Sequence, residues 1–170
     1  MKNLVTLFLL LFSMIISAQN FEISTLRIGD FKIFMDKPSA DKIAGKSLDP
    51  KADYEAMNKV NHHGEMVEVL FMDRYESENK PNIISLYVLK TKSPKFKTKS
   101  GMGVGNTKDE LLKAYKDYSN FRMSSYDDTE NKNQKESYFT LSDYQAGTYL
   151  SFKMMNNKVV EVSVGIDEGC

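Results

Sequence analysis

Apolar and polar residues alternate with a period of two over much of the chain, most cleanly in GTYLSFKMMNNKVVEVSVGI. There Leu150, Phe152 and Met154 alternate with Tyr149, Ser151 and Lys153, and Val160, Val162, Val164 and Ile166 alternate with Glu161, Ser163 and Gly165. This pattern predicts two strands with one buried face. Asn156-Asn157 between them tolerate the positive φ that a tight hairpin turn needs. A second hairpin is expected in MVEVLFMDRYESENKPNIISLYVLK, with Val67, Val69 and Phe71 facing Ile84, Leu86 and Val88 across a polar turn ending in Pro81. FEISTLRIGDFKIFM predicts a less regular pair around Gly29-Asp30.

Helical periodicity is confined to short stretches. Thr107 followed by Glu110 fits a capping box, and Leu111, Leu112, Tyr115 and Tyr118 then supply an apolar face on a helix running to about Ser119. Pro38-Ser39 starts a short helix through Ile43 and Ala44 that ends near Gly45. KADYEAMNKV gives a third, weaker helical pattern, and DDTENKNQKE at 127–136 has no apolar residue and reads as a loop.

The N-terminus MKNLVTLFLLLFSMIISAQN predicts a secretory signal peptide over residues 1–18: Lys2 as the positive region, Leu4 to Ile16 as the apolar core, and Ser17-Ala18 as the small-residue cleavage site. The apolar run is short for a membrane span, so no transmembrane segment is expected in the mature chain. The expected product is periplasmic or secreted. Lys+Arg and Asp+Glu are equal at 23 each, so no overall field attracts nucleic acid or anionic lipid. The only cysteine, Cys170, excludes an intramolecular disulfide framework.

The two halves resemble each other. NIISLYV at 82–88 matches KVVEVSV at 158–164, and SADKIA at 39–44 matches TKDELL at 107–112, with the polar tract at 127–136 as surplus in the second copy. The expected organisation is α+β: two related units, 19–95 and 96–170, each a short helix followed by antiparallel hairpin strands. Chance similarity stays open, because short alternating strands look alike in any architecture. Whether the halves build one sheet or two is also open.

FKTKSGMGVGNTKDELLKAYKDY, followed by a strand pair ending in LSFKMMNNKVVEVSV, resembles the repeat of the SmpA/OmlA-type outer-membrane assembly lipoproteins and the beta-lactamase inhibitory proteins. In those families a G-x-G-x-[ST]-x-x-E/D-h turn leads into a helix, and a later strand pair carries F-x-n-x-K-V-x-x-I. The resemblance covers residues 96–166 with both motifs and 21–95 with the hairpin alone. It implies a beta-lactamase inhibitory protein-like fold and protein binding, and it carries no catalytic residue. The lipid-attachment cysteine of the lipoproteins and the disulfides of the inhibitors are both missing.

Candidate chemistry is sparse. Gly101 and Gly105 have the glycine spacing of a phosphate loop, but Asn106-Thr107 stand where Lys and Ser or Thr are required, so no nucleotide cofactor is expected. The three glycines of GMGVG read instead as a joint that permits close packing and positive φ before the helix. His62-His63-Gly64-Glu65 is the one metal-like cluster. Neighbouring side chains of an extended strand point to opposite faces, and the spacing supplies no third ligand, although Glu68 or Asp73 is within reach of a fold. The cluster reads as a polar turn, and purification without stoichiometric zinc is the expected outcome. No Gly-x-Ser-x-Gly elbow occurs, and Asp127-Asp128 and Asp167-Glu168 lie in polar loop or tail sequence.

KTKSPKFKTK at 90–99 reads as a linker whose lysines guard a sheet edge. Together with outward strand tyrosines it gives a candidate partner surface: Tyr87, Tyr149, Lys95, Lys97 and Lys99. The expected activity is therefore a non-enzymatic, exported module that binds another envelope or extracellular protein. The alternative is a small-molecule or envelope-polymer binder, or a hydrolase with a site assembled by the fold, which predicts a deep pocket with convergent polar groups.

Overall fold

The computed structural model describes residues 20–74, 82–126 and 136–168. The expected signal segment, Pro81, the polar tract at 127–135 and Cys170 lie outside the described residues. In chain order the elements are β1 (Glu22–Ser24), β2 (Arg27–Ile28), β3 (Phe31–Lys32), α1 (Lys37–Ala44), β4 (Asn58–His62), β5 (Glu65–Arg74), β6 (Ile83–Thr91), β7 (Lys97–Thr98), α2 (Lys108–Tyr115), β8 (Phe121–Tyr126), β9 (Glu136–Asp143), β10 (Thr148–Met155) and β11 (Lys158–Ile166). The fold is α+β and mostly antiparallel. One seven-stranded sheet has the order β4-β5-β6-β11-β10-β9-β8, and a small sheet has the order β3-β2-β1-β7, in which β1 and β7 run parallel. The two halves thus share a single sheet, joined where β6 pairs with β11.

Two of the three expected helices form, each for local reasons. Asp36 caps α1 by accepting a hydrogen bond from Ser39 N at 3.1 Å, Pro38 occupies the first turn, and Gly45 ends the helix at φ 65°. Thr107 and Glu110 make the reciprocal capping box of α2, with Thr107 N donating to Glu110 Oε2 at 2.6 Å. The last helical residue is Tyr115, short of Ser119. KADYEAMNKV is not helical. Asp53 accepts from Glu55 N and Ala56 N in a tight turn, and Asn58 to Val60 are drawn into β4 by pairing with Val67 to Val69.

The helices and the small sheet lie on one face of the large sheet and close the core. Val67, Val69, Leu86, Leu89, Phe139, Phe152, Val162 and Val164 from the large sheet meet Ile23, Ile28, Phe31, Ala40, Phe96 and Leu111 from the covering layer. Phe139 and Phe152 are fully buried with ring centroids 6.3 Å apart. Burying each such ring stabilises by about 1.5–3 kcal/mol.

Two β-bulges correct the simple alternation. In β6, Phe71 pairs with Leu86 and Leu70 with Val88, so Tyr87 is the extra residue. Val88 is therefore on the face opposite the core, beside Leu70 and Met57. In β11, Lys153 pairs with Glu161 and Met154 with Val159, so Val160 is extra and 36% exposed while Val159 is buried.

The two bulges occupy corresponding places. Asp36, the cap of α1, bridges Ser85 at the start of β6, and Thr107, the cap of α2, bridges Lys158 at the start of β11. Both helices have eight residues. At the junction Lys90 pairs with Ser163, flanked by Leu89 with Val164 and Thr91 with Val162. Strand β8 has no counterpart beyond β4 in the order of the sheet.

Candidate functional site

The face of the large sheet away from the helices is divided. Over β5 and β6 it is closed by the connection between α1 and β4, where Ala52 and Met57 pack on Leu70, Tyr87 and Val88. Over β8 to β11 it forms an open groove of about 550 Å³ lined by outward strand residues.

Strand register builds the floor of that groove. Arg122, Thr140, Ser151 and Ser163 stand opposite one another on four adjacent strands, a row of short hydroxyl side chains with a guanidinium at its outer end. Thr140 Oγ1 and Ser151 Oγ are 3.0 Å apart. The row continues through Lys90, Glu68 and Lys59 to the opposite edge. Two residues along the strands in one direction lie Ser124, Tyr138 and Lys153, and in the other Ser142, Tyr149 and Gly165. Short hydroxyls between rows containing tyrosines make a trough across the strands, because side chains of one face stand roughly perpendicular to the sheet.

Charge also lines the Tyr138 side of the trough. Glu136 accepts from the Tyr138 hydroxyl and from Lys153 Nζ at 2.9 Å, which holds its carboxyl below the usual range. The same Lys153 Nζ lies 5.8 Å from the Tyr138 ring centroid. Burial, and after it the bond to Glu136, raises the Tyr138 hydroxyl above its ordinary value. Tyr149 lies over Gly165, where a Cβ would fall 2.7 Å from its hydroxyl oxygen. Burial, followed by nearby Tyr54 and Asp167, pushes the Tyr149 hydroxyl up to about 12.

The partner surface expected from the sequence is only partly assembled. Tyr87 faces outward but is only 8% exposed beneath the α1–β4 connection, and it donates to Glu168 Oε1 at 2.7 Å. Tyr149 is half-buried and borders the groove. The expected exposure of Tyr87 is thus corrected by a cover that strand alternation does not reveal, and that of Tyr149 by its packing along the sheet against Gly165. The lysines do not form one patch. Lys95 pairs with Glu65 at 2.7 Å, Lys97 turns inward to donate to Val104 O at 2.9 Å and Asn106 Oδ1 at 3.0 Å, and Lys99 is exposed. Burial lowers the Lys97 ammonium below its usual value. The glycine joint is structural: a Cβ at Gly103 would run into the Phe96 carbonyl oxygen.

His62 and His63 converge, against the expectation that they point apart. His62 ends β4 on its core-facing side, and His63 begins the turn to β5 with φ 53°, a left-handed backbone that returns its ring to its neighbour. The ring centroids are 4.2 Å apart. The Nε2 atoms of His62 and His63 lie 3.5 and 3.7 Å from Asp30 Oδ2, in the turn between β2 and β3. Burial, and next the charge of His63, lower the affinity of His62 for a proton. Glu65 stays outside the cluster, committed to Lys95 and the Ser93 hydroxyl. Glu68 is 4.0 Å from Lys59, and Asp73 pairs with Ile84 farther along β5.

No known protein family, curated protein or solved structure matches the chain. Among the described residues no helix is long and apolar enough to cross a membrane.

Proposed function

We propose that this chain is a non-enzymatic binding module exported to the envelope or beyond, which docks an extended segment of another protein along the open face of β8 to β11. The observation that carries the reading is the hydroxyl trough formed by Thr140, Ser151 and Ser163, bordered by Tyr138 and Tyr149 and ended by Arg122. Each hydroxyl offers one donor and two acceptor positions, so the row suits the peptide groups of an extended chain. Tyrosines add contact area with a polar tip. The groove is open, whereas an enclosed pocket would favour a small molecule.

Two related units, 19–95 and 96–170, are part of this reading. The equivalent bridges of Asp36 and Thr107, the matching bulges at Tyr87 and Val160 and the pairing of β6 with β11 about Lys90 and Ser163 support duplication. The G-x-G-x-T-x-x-E turn supports the likeness to beta-lactamase inhibitory proteins: it shapes the entry to α2, and Gly105 N donates to Val159 O at 2.9 Å. The signal-like N-terminus supports export.

A polymer ligand of the envelope is the second reading, favoured by the same hydroxyls, since a glycan presents matching groups. The test is affinity capture with residues 19–170 from envelope extract of the source cell, repeated with Arg122→Ala and Tyr138→Ala. A saturable protein partner lost in both variants and kept in Lys99→Ala supports protein docking. Retention by both groove variants refutes the assigned face, and recovery of polysaccharide without protein supports the polymer reading.

A further inference from the structure

We propose that Asp30, His62 and His63 form a binding site for one divalent transition-metal ion, best suited to zinc, with two imidazole nitrogens and one carboxylate oxygen as ligands. This reverses the expectation of a polar turn. The turn at Gly29-Asp30 lies against the turn at His63-Gly64, and one ligand atom from each of the three side chains lies within 4.8 Å of the others.

Three observations distinguish this cluster from a chance meeting of polar side chains. His62 is only 4% exposed, between Phe31 and Phe96, and its buried Nε2 makes no well-formed hydrogen bond: the ring has a weak contact with the Asn20 carbonyl, and Asp30 Oδ2 lies 3.5 Å away. A buried nitrogen whose hydrogen bonding is poorly satisfied costs free energy, and an ion supplies a stronger partner. Second, the distances of 3.5 and 3.7 Å from Asp30 Oδ2 exceed a charge-assisted hydrogen bond of about 2.7–2.9 Å. They lie near the roughly 3.3 Å edge that follows from tetrahedral zinc with bonds of about 2.0–2.1 Å. Both distances suit a shared cation better than a shared proton.

Third, the outer partner of the carboxylate is in place. Asn20 Nδ2 donates to Asp30 Oδ1 at 2.9 Å and to Gly29 O at 3.1 Å, which orients the other oxygen toward both rings. Gly29 leaves the space that the His62 ring needs. Two nitrogen donors favour zinc and its first-row neighbours over calcium or magnesium, which prefer oxygen ligands. His63 and Asp30 keep side-chain exposures of 35% and 41%, so a fourth position opens to solvent.

The test uses tag-free protein freed of metal by chelator and dialysis, titrated with Co2+ while visible absorption is recorded, then with Zn2+ in equilibrium dialysis. The expected result is one ion per chain, a tetrahedral cobalt band abolished by zinc, and a rise in thermal midpoint with zinc. His63→Ala alters an exposed and Asp30→Ala a partly exposed turn residue, and each should weaken zinc binding at least about tenfold, since even outer partners of metal ligands are worth about 10–100-fold. Asn20→Ala should fall within that range while leaving the stoichiometry unchanged. Binding well below one ion per chain, or affinity unchanged in His63→Ala and Asp30→Ala, overturns the proposal.

Discussion

Replacing Gly29 by Ala tests how tightly the β2–β3 turn is fitted to His62. Gly29 has φ 59°, where a Cβ costs about 1–2 kcal/mol. The added Cβ would lie 2.8 Å from His62 Nε2, 2.9 Å from His62 Cδ2 and 3.0 Å from Asn20 O. His62 cannot swing aside easily, because Phe31 and Phe96 hold its ring at centroid distances of 5.5 and 6.3 Å. Overpacking of this kind costs about 1–3 kcal/mol, and the stiffer unfolded chain offsets about 0.4–1 kcal/mol. The net loss for Gly29→Ala is therefore about 3 kcal/mol. Gly45 is the control, with φ 65° but no atom within 4 Å of the place its Cβ would take. Gly45→Ala should lose only about 1 kcal/mol, the backbone part alone. Urea unfolding of both variants in metal-free buffer measures the difference. In a His62→Ala background the overlap with the ring disappears, so the Gly29→Ala loss should shrink toward that of Gly45→Ala. Equal losses for the two glycine variants in the parent chain would refute the fitted contact.

Two further outcomes are expected. Thr107→Ala removes the hydroxyl that accepts from Glu110 N at 3.3 Å and should cost about 1 kcal/mol in urea unfolding, whereas Thr107→Ser should cost little. The Tyr149 hydroxyl is raised from 10.0 to about 12, chiefly by burial. Because the folded value is above the unfolded one, its contribution to stability is full below about pH 10 and is lost as pH rises toward and through about 12. Tyrosinate absorbance against pH should show a late-titrating residue that Tyr149→Phe removes, and the variant should lose less stability over that alkaline range. An unchanged alkaline stability profile would contradict this.

Local chemistry was legible in the sequence by itself. The capping box at Thr107 and Glu110, the start and stop of α1 at Pro38 and Gly45, and the hairpin turn at Asn156-Asn157 each depend on neighbours a few residues away. The pair around Gly29-Asp30 also formed as expected, with Ile28 opposite Phe31. Period-two patterning placed Leu150, Phe152 and Met154 in the core, because alternation and burial on one face are the same fact.

Tertiary structure decided whatever depends on partners distant in the chain. The bulges at Tyr87 and Val160 shift the strands by one residue, which alternation cannot announce because the residues that exchange places are alike: Leu86, Tyr87 and Val88 are all apolar, and so are Val159 and Val160. Tyr87 is covered by a connection from another part of the chain, and Lys97 is turned inward by the carbonyl of Val104. The groove arises only when Arg122, Thr140, Ser151 and Ser163 come into register across four strands. Ser151 and Ser163 were readable as outward positions, but the strands that hold Arg122 and Thr140 were not anticipated, and neither was the alignment of the four. The same holds for the meeting of Asp30 with His62 and His63: a left-handed residue in one turn and a glycine in another bring together side chains that strand geometry would separate.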